Sequence, residues 1–255
     1  VDITKQITRT NPKEGELAWS KRLTYWVSRN WIVMFALLMG LYVGLPFLAP
    51  VFMELKWTDA AQAIYLFYSF QCHQLPQRSF FLFGPKFMYS LSDIQSVWQN
   101  AINPALLRQF IGNPQMGWKV SWSDRMVYMY ASTLIFGLLW WPLRHRLRRL
   151  PWWGLVLFLL PMFVDGSTHL LSDLAGLGQG FRYTNLWLAR LTHNIFPPTF
   201  YLGNALGSFN AWMRLISGVL FGLGVVWFGF PHLNDWFEDT VRIMEAKFQR
   251  QGYTP

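Results

Sequence analysis

Cysteine is almost missing: Cys72 is the single one in 255 residues. One thiol excludes an intrachain disulfide and any zinc or iron–sulfur cage that needs several cysteines. Charge is scarce as well. Asp, Glu, Lys and Arg make up 14% of the chain, against roughly 25% in an ordinary soluble domain. Acidic residues are the scarcer sign, 13 against 22 basic ones, and the net charge is +9. The chain carries no phosphate-binding glycine loop, no nucleophile elbow and no HExxH motif, so three common catalytic signatures are lacking. No cleavable signal peptide is expected. The first apolar run starts too late, is too long and has no small-residue cleavage site.

What the chain has in quantity is apolar and aromatic surface: 53% hydrophobic residues and 15 Trp. Residues 31–53 read WIVMFALLMGLYVGLPFLAPVFM, with no charge until Glu54. At 1.5 Å per residue, about 20 apolar residues cross a hydrocarbon core roughly 30 Å thick. Further spans are expected at 126–141, 152–171 and 215–230. The mean hydropathy of +0.19 is modest, so substantial polypeptide must lie outside the membrane. Trp and Tyr suit the membrane–water boundary, where ring and polar tip are both satisfied.

The sequence therefore predicts an all-α, polytopic membrane helix bundle of four spans with interfacial helices and two long outer loops. Its parts are a basic, amphipathic segment 1–30, a transmembrane domain 31–230 with outer loops 54–125 and 172–212, and an amphipathic tail 231–255. Residues 16–29 place Leu17, Leu23, Trp26 and Val27 on one side of a surface helix. The apolar stretch 60–70 is too short to cross and is read as interfacial. Residues 92–111 look helical, and GNPQMGW at 112–118 is a turn. Pro46 and Pro50 are expected to kink the first span, and Gly218 and Gly222 form a GxxxG pair in the fourth.

Orientation follows from where Lys and Arg gather. Lys5, Arg9, Lys13, Lys21, Arg22 and Arg29 precede the first span. Arg144, Arg146, Arg148 and Arg149 sit in a short loop, and Arg242, Lys247 and Arg250 lie in the tail. Both termini and this loop are assigned to the cytoplasmic side of a bacterial inner membrane. The four loop arginines are assigned to lipid headgroups. Basic residues that flank spans point to lipid, not nucleic acid.

Two segments could carry chemistry. Cys72 and His73 stand together in CHQLPQRSF, and two such ligands are half of a tetrahedral metal site. Asp165 and His169, four residues apart, share one face of the third span. A carboxylate at such depth costs at least about 2.5 kcal/mol on insertion scales and takes a partner. Arg78, Arg125, Arg182 and Arg190 are the available cations. The expected outer polar cluster is Cys72, His73, Arg78, Arg125, Asp165, His169, Asn185 and Arg190. A metal, if one is bound, would use Cys72, His73 and His169.

These residues carry a resemblance. The pattern comprises Cys72, His73, Gln74, Pro76, Arg78, Ser79 and Phe80; Arg125 and Tyr130; Asp165, Gly166 and Thr168; and Thr184, Asn185 and Arg190. Over about 30–225 it resembles the bacterial predicted membrane proteins called domain of unknown function 2085. The resemblance implies architecture more than activity. Where that family shows Cys-x-Arg-Cys-x-Gly-x-Tyr, this chain has Ser123, Asp124, Arg125 and Met126 through Tyr130, so both cysteines are replaced. An insertion also falls near 90–120. A degenerate site with an added outer segment suggests scaffolding. The favoured function is a non-catalytic accessory subunit of a respiratory, photosynthetic or transport complex, with lipids and other membrane subunits as partners. The alternatives are a metal- or thiol-dependent membrane enzyme using Cys72, His73, Asp165 and His169, and a small transporter. No cofactor is required, and contact with metal, haem, quinone or pigment is compatible with the aromatic content.

Overall fold

A computed structural model describes residues 19–250. Lys5, Arg9, Lys13, Leu17 and the end of the tail lie outside the described residues. The elements run α1 (Trp19–Arg29), α2 (Trp31–Glu54), α3 (Thr58–Ser69), β1 (Ser79–Leu82), α4 (Leu91–Val97), α5 (Pro104–Leu107), β2 (Gly112–Asn113) and β3 (Gly117–Ser123). They continue with α6 (Asp124–Leu143), α7 (Trp152–Asp173), α8 (Phe181–Thr184), α9 (Leu186–Leu191), α10 (Pro198–Tyr201) and α11 (Phe209–Arg250). Four helices, α2, α6, α7 and α11, are long and apolar enough to cross a membrane. The all-α membrane bundle is thus confirmed.

The chain divides into two compact units. One joins the residues up to Met34 with those from His232 onward, and the other runs from Phe35 to Pro231. In the first unit, α1 leaves Trp19, Leu23 and Trp26 exposed as one helical stripe. Its Tyr25 hydroxyl donates to Glu245 at 2.9 Å and its ring meets Phe248 edge-on. The ring of Trp31 stacks on Phe237.

In the second unit the bundle is set by glycine. A Cβ on Gly218 would lie 2.8 Å from that of Tyr128, and one on Gly222 would lie 2.1 Å from Ser132 Oγ. A Cβ on Gly224 would meet Phe158 at 2.5 Å. The GxxxG face of α11 therefore touches α6, and Gly224 admits α7. Ser132 Oγ donates to the Gly218 carbonyl at 3.1 Å across that close approach.

The sequence reading missed a small antiparallel sheet in the order β1–β3–β2. Ser79 pairs with Ser123 and Leu82 with Trp118. GWKVSWS alternates apolar Trp118, Val120 and Trp122 with polar Lys119, Ser121 and Ser123, which is a strand signal, yet the structure buries β3 on both faces. One face carries Phe80, Val120 and Trp122 against Tyr68, Met88 and Val127. Phe81 faces the other way, among Leu91, Ile94, Leu107, Phe110 and Met116. The GNPQMGW turn closes the β2–β3 hairpin, where Asn113 Oδ1 accepts from the amides of Gln115 and Met116.

Three other differences have local causes. The helical stretch expected over 92–111 is broken into α4 and α5. Pro104 disfavours helix at Asn103, which instead caps α5 by accepting from Ala105 N at 2.8 Å. The fourth span and the tail are one helix of 42 residues through Pro231. Apolar residues keep helical spacing across that proline, from Val226 and Phe230 to Phe237, Met244 and Phe248. α2 also continues past Pro46 and Pro50 to Glu54.

Candidate functional site

The start of α6, the end of α7 and the start of α11 carry charges that meet. β3 delivers Asp124 as the first residue of α6, where its carboxylate accepts from Arg125 N at 2.8 Å and favours the positive helix end. Arg214, one turn into α11, donates from Nε to both Asp124 oxygens at 2.8 and 2.7 Å. Its Nη atoms are taken up by the side chain and carbonyl of Asn204. The two side chains are 1% and 0% exposed. Each stands just ahead of an apolar run in the sequence, Asp124 before 126–141 and Arg214 before 215–230.

On α7, Asp165, His169 and Asp173 repeat every fourth residue and form one polar stripe. Asp165 accepts from Arg125 Nη2 and Arg182 Nη2, both at 2.6 Å. Asp173 is held by a bidentate pair from Arg78, both bonds 2.8 Å. His169 Nδ1 lies 3.0 Å from the Asp165 carbonyl and 3.3 Å from Arg125 Nη2. Its Nε2 is buried and has no hydrogen-bond partner among the described residues.

Arg182 is held by its surroundings. Its amide donates to Ser172 Oγ at 3.0 Å, and its carbonyl accepts from Asn185 Nδ2 and Asn210 Nδ2. Asn185 is fully buried in the left-handed region (φ 44°) between α8 and α9, and Asn and Asp tolerate that conformation best. It is a corner that aims Arg182. Burial pulls the Arg182 guanidinium below its ordinary value, while Asp165 beside it opposes the shift. Of the four arginines considered as partners for Asp165, two serve it. Arg78 serves Asp173 instead, and Arg190 is exposed on α9, outside these ion pairs.

Cys72 and His73 border a cavity of about 160 Å3 with Gln71, Gln74, Arg78, Ser123, Asp124, Arg125 and Arg214. Cys72 Sγ accepts from the amides of Gln74 and Ser123 at 3.4 Å each. Among the described residues, no three His, Cys, Asp or Glu side chains are placed to share a metal ion. Cys72 and His73 line this cavity, whereas His169 stands on the α7 stripe behind Arg125. Lys119, bonded to the carbonyl of the cavity-lining Gln74, is a further buried charge that the sequence pattern did not mark. It is fully buried, and its Nζ donates to the carbonyls of Gln74 and Arg108 at 2.8 and 3.0 Å. Burial pulls its amine down to about 7, and the cation of Arg108 adds to the shift.

The arginine loop follows α6. Arg144 stacks over the Trp141 ring at 4.0 Å, and Trp227 Nε1 donates to the Arg148 carbonyl at 2.8 Å. Arg146 and Arg148 are exposed.

Four apolar helices, small residues at their crossings and ion pairs at their ends define a polytopic helical membrane protein. A family profile described as a predicted membrane protein, domain of unknown function 2085, matches residues 115–228. An uncharacterized protein of Methanocaldococcus jannaschii is 30% identical over 143 residues, which is 53% of this chain and 67% of that relative. The chain belongs to this family of predicted membrane proteins. The matched region holds Asp124, Arg125, Asp165, His169, Arg182 and Arg214, and begins after Cys72, His73 and Arg78. No solved structure matches the chain.

Proposed function

We propose that the chain is a non-catalytic subunit of a larger assembly in a bacterial cytoplasmic membrane. Both termini and the arginine loop face the cytoplasm in this reading, and segments 54–125 and 172–212 form an outer cap that docks on neighbouring membrane subunits. The observation that carries it is apolar surface left uncovered on polypeptide outside the four spans. Phe70 is 84% exposed and Ile195 78%, and Trp57, Phe83 and Phe87 are also exposed. Where such side chains adjoin, they mark protein or membrane contacts.

The use made of the ionisable groups agrees. Asp165 has both oxygens committed to arginines, and Asp124 and Asp173 are likewise paired. A buried pair of this kind fixes an arrangement, and removing one partner costs about 3–5 kcal/mol. In this reading Asp165 is a tie between α6, α7 and α8, not a carrier of protons.

The test is extraction from native membranes in mild detergent, followed by native sizing and identification of co-purifying chains. Migration well above the 30.0 kDa of the chain, with defined partners, is expected. A lone monomer overturns the proposal. Asp165→Asn should lower thermal stability; a change in solute flux through proteoliposomes with stability intact would favour transport instead.

A further inference from the structure

The ion pairs do not balance. Four guanidinium groups, on Arg78, Arg125, Arg182 and Arg214, meet three carboxylates, on Asp124, Asp165 and Asp173. Arg125 and Arg182 share the one carboxylate of Asp165. Donors are in surplus too. The Nε–H groups of Arg78, Arg125 and Arg182 are buried and meet no acceptor among the described residues. A buried polar donor without a partner costs about 1–3 kcal/mol, and more when it is charged.

Part of this surplus stands beside open space. Arg78, Arg125 and Arg214 all line the 160 Å3 cavity, with Asp124 as its single carboxylate. His73 and the side-chain amides of Gln71 and Gln74 add further polar groups to the wall. Pockets for drug-sized ligands run from about 300 Å3 upward, whereas one water needs only about 30 Å3. This space suits a species of a few heavy atoms. Planar or tetrahedral oxygens with a negative charge match guanidinium donors best.

We infer that the cavity between the Cys72–Arg78 segment and the start of α6 binds a small oxyanion, a carboxylate or a phosphate. The anion offsets the excess positive charge of the cluster and ties the CHQLPQRSF segment to α6 and α11. The inference is independent of whether the chain is a subunit of an assembly.

Cys72 makes the test direct, because it is the single thiol in the chain and lines the cavity. The full chain in detergent is treated with N-ethylmaleimide at fixed pH and ionic strength. Inorganic phosphate or acetate replaces chloride in increasing steps. Saturable protection is expected, with alkylation about tenfold slower at ten times the dissociation constant. Arg78→Gln should abolish the protection, while Arg190→Gln, outside the ion pairs, should keep it. Should Arg78→Gln fail to fold, the saturation curve of the unaltered chain still decides. A second arm uses nanodiscs without added phosphate or acetate. Protection in phosphatidylglycerol discs but not in phosphatidylcholine discs supports the site and assigns it to a headgroup phosphate. An alkylation rate indifferent to phosphate, to acetate and to anionic lipid overturns the inference.

Discussion

Lys119 shows how a single residue can be committed by its neighbours. It has two acceptors, the carbonyls of Gln74 and Arg108, and no carboxylate among the ion pairs found. A neutral amine has two N–H groups and satisfies both carbonyls; an ammonium would carry a third proton into the interior. In the fold the group titrates at about 7, whereas its ordinary value is 10.5. Below pH 7 both folded and unfolded chains hold the proton, and the burial cost is fully present. Between 7 and 10.5 only the unfolded chain holds it, so stability rises with pH through that window. The protection of the β1–β3–β2 sheet, followed by hydrogen exchange at its amides, should increase as pH is raised from neutral. Lys119→Met should flatten the rise. Nothing in the sequence signalled this burial, because the alternation in GWKVSWS puts Lys119 on the polar face of the strand, the side expected to meet water. Asp165 and Arg125 were legible for the opposite reason: a charge inside or at the end of an apolar run is conspicuous at once.

At the scale of elements, α11 depends on side chains it does not have. Gly222 lies where any Cβ would come within 2.1 Å of Ser132 Oγ and 2.7 Å of the Thr133 amide. Gly222→Val should therefore push α11 from α6 and lower the thermal midpoint in detergent, by the equivalent of about 1–3 kcal/mol or more. Gly229→Val is the control, because nothing stands within 4 Å of the added Cβ. An equal loss in both variants would show that glycine flexibility, not close packing, matters in α11. The four spans were readable because length and hydropathy suffice for them. Short elements were not. α8, α9 and α10 have four to six residues each, below the length at which a period can be recognised. They are held by tertiary bonds such as Asn185 Nδ2 to the Tyr201 carbonyl at 2.8 Å.

For the whole molecule, the proposed orientation is open to a direct check. A membrane-impermeant maleimide should reach Cys72 from outside intact spheroplasts. In a Cys72→Ala background, a cysteine placed at His145 should react only in inverted vesicles. The reverse pattern would place the arginine loop outside and end the topology proposed above. Membership in a membrane family and the presence of four spans agree with what composition requires: 53% hydrophobic residues and 14% charge fill a bilayer better than they cover a soluble surface. By itself the sequence determined the solvent, because transfer of apolar residues into lipid is additive along the chain and needs no knowledge of neighbours. It also marked Asp165 as a residue in need of a partner. Only the tertiary structure decided which arginine serves which aspartate, that Asn185 aims Arg182, and that four guanidinium groups share three carboxylates beside a cavity. Those outcomes depend on distances of a few ångströms between residues up to 95 positions apart in the chain, which no local pattern encodes.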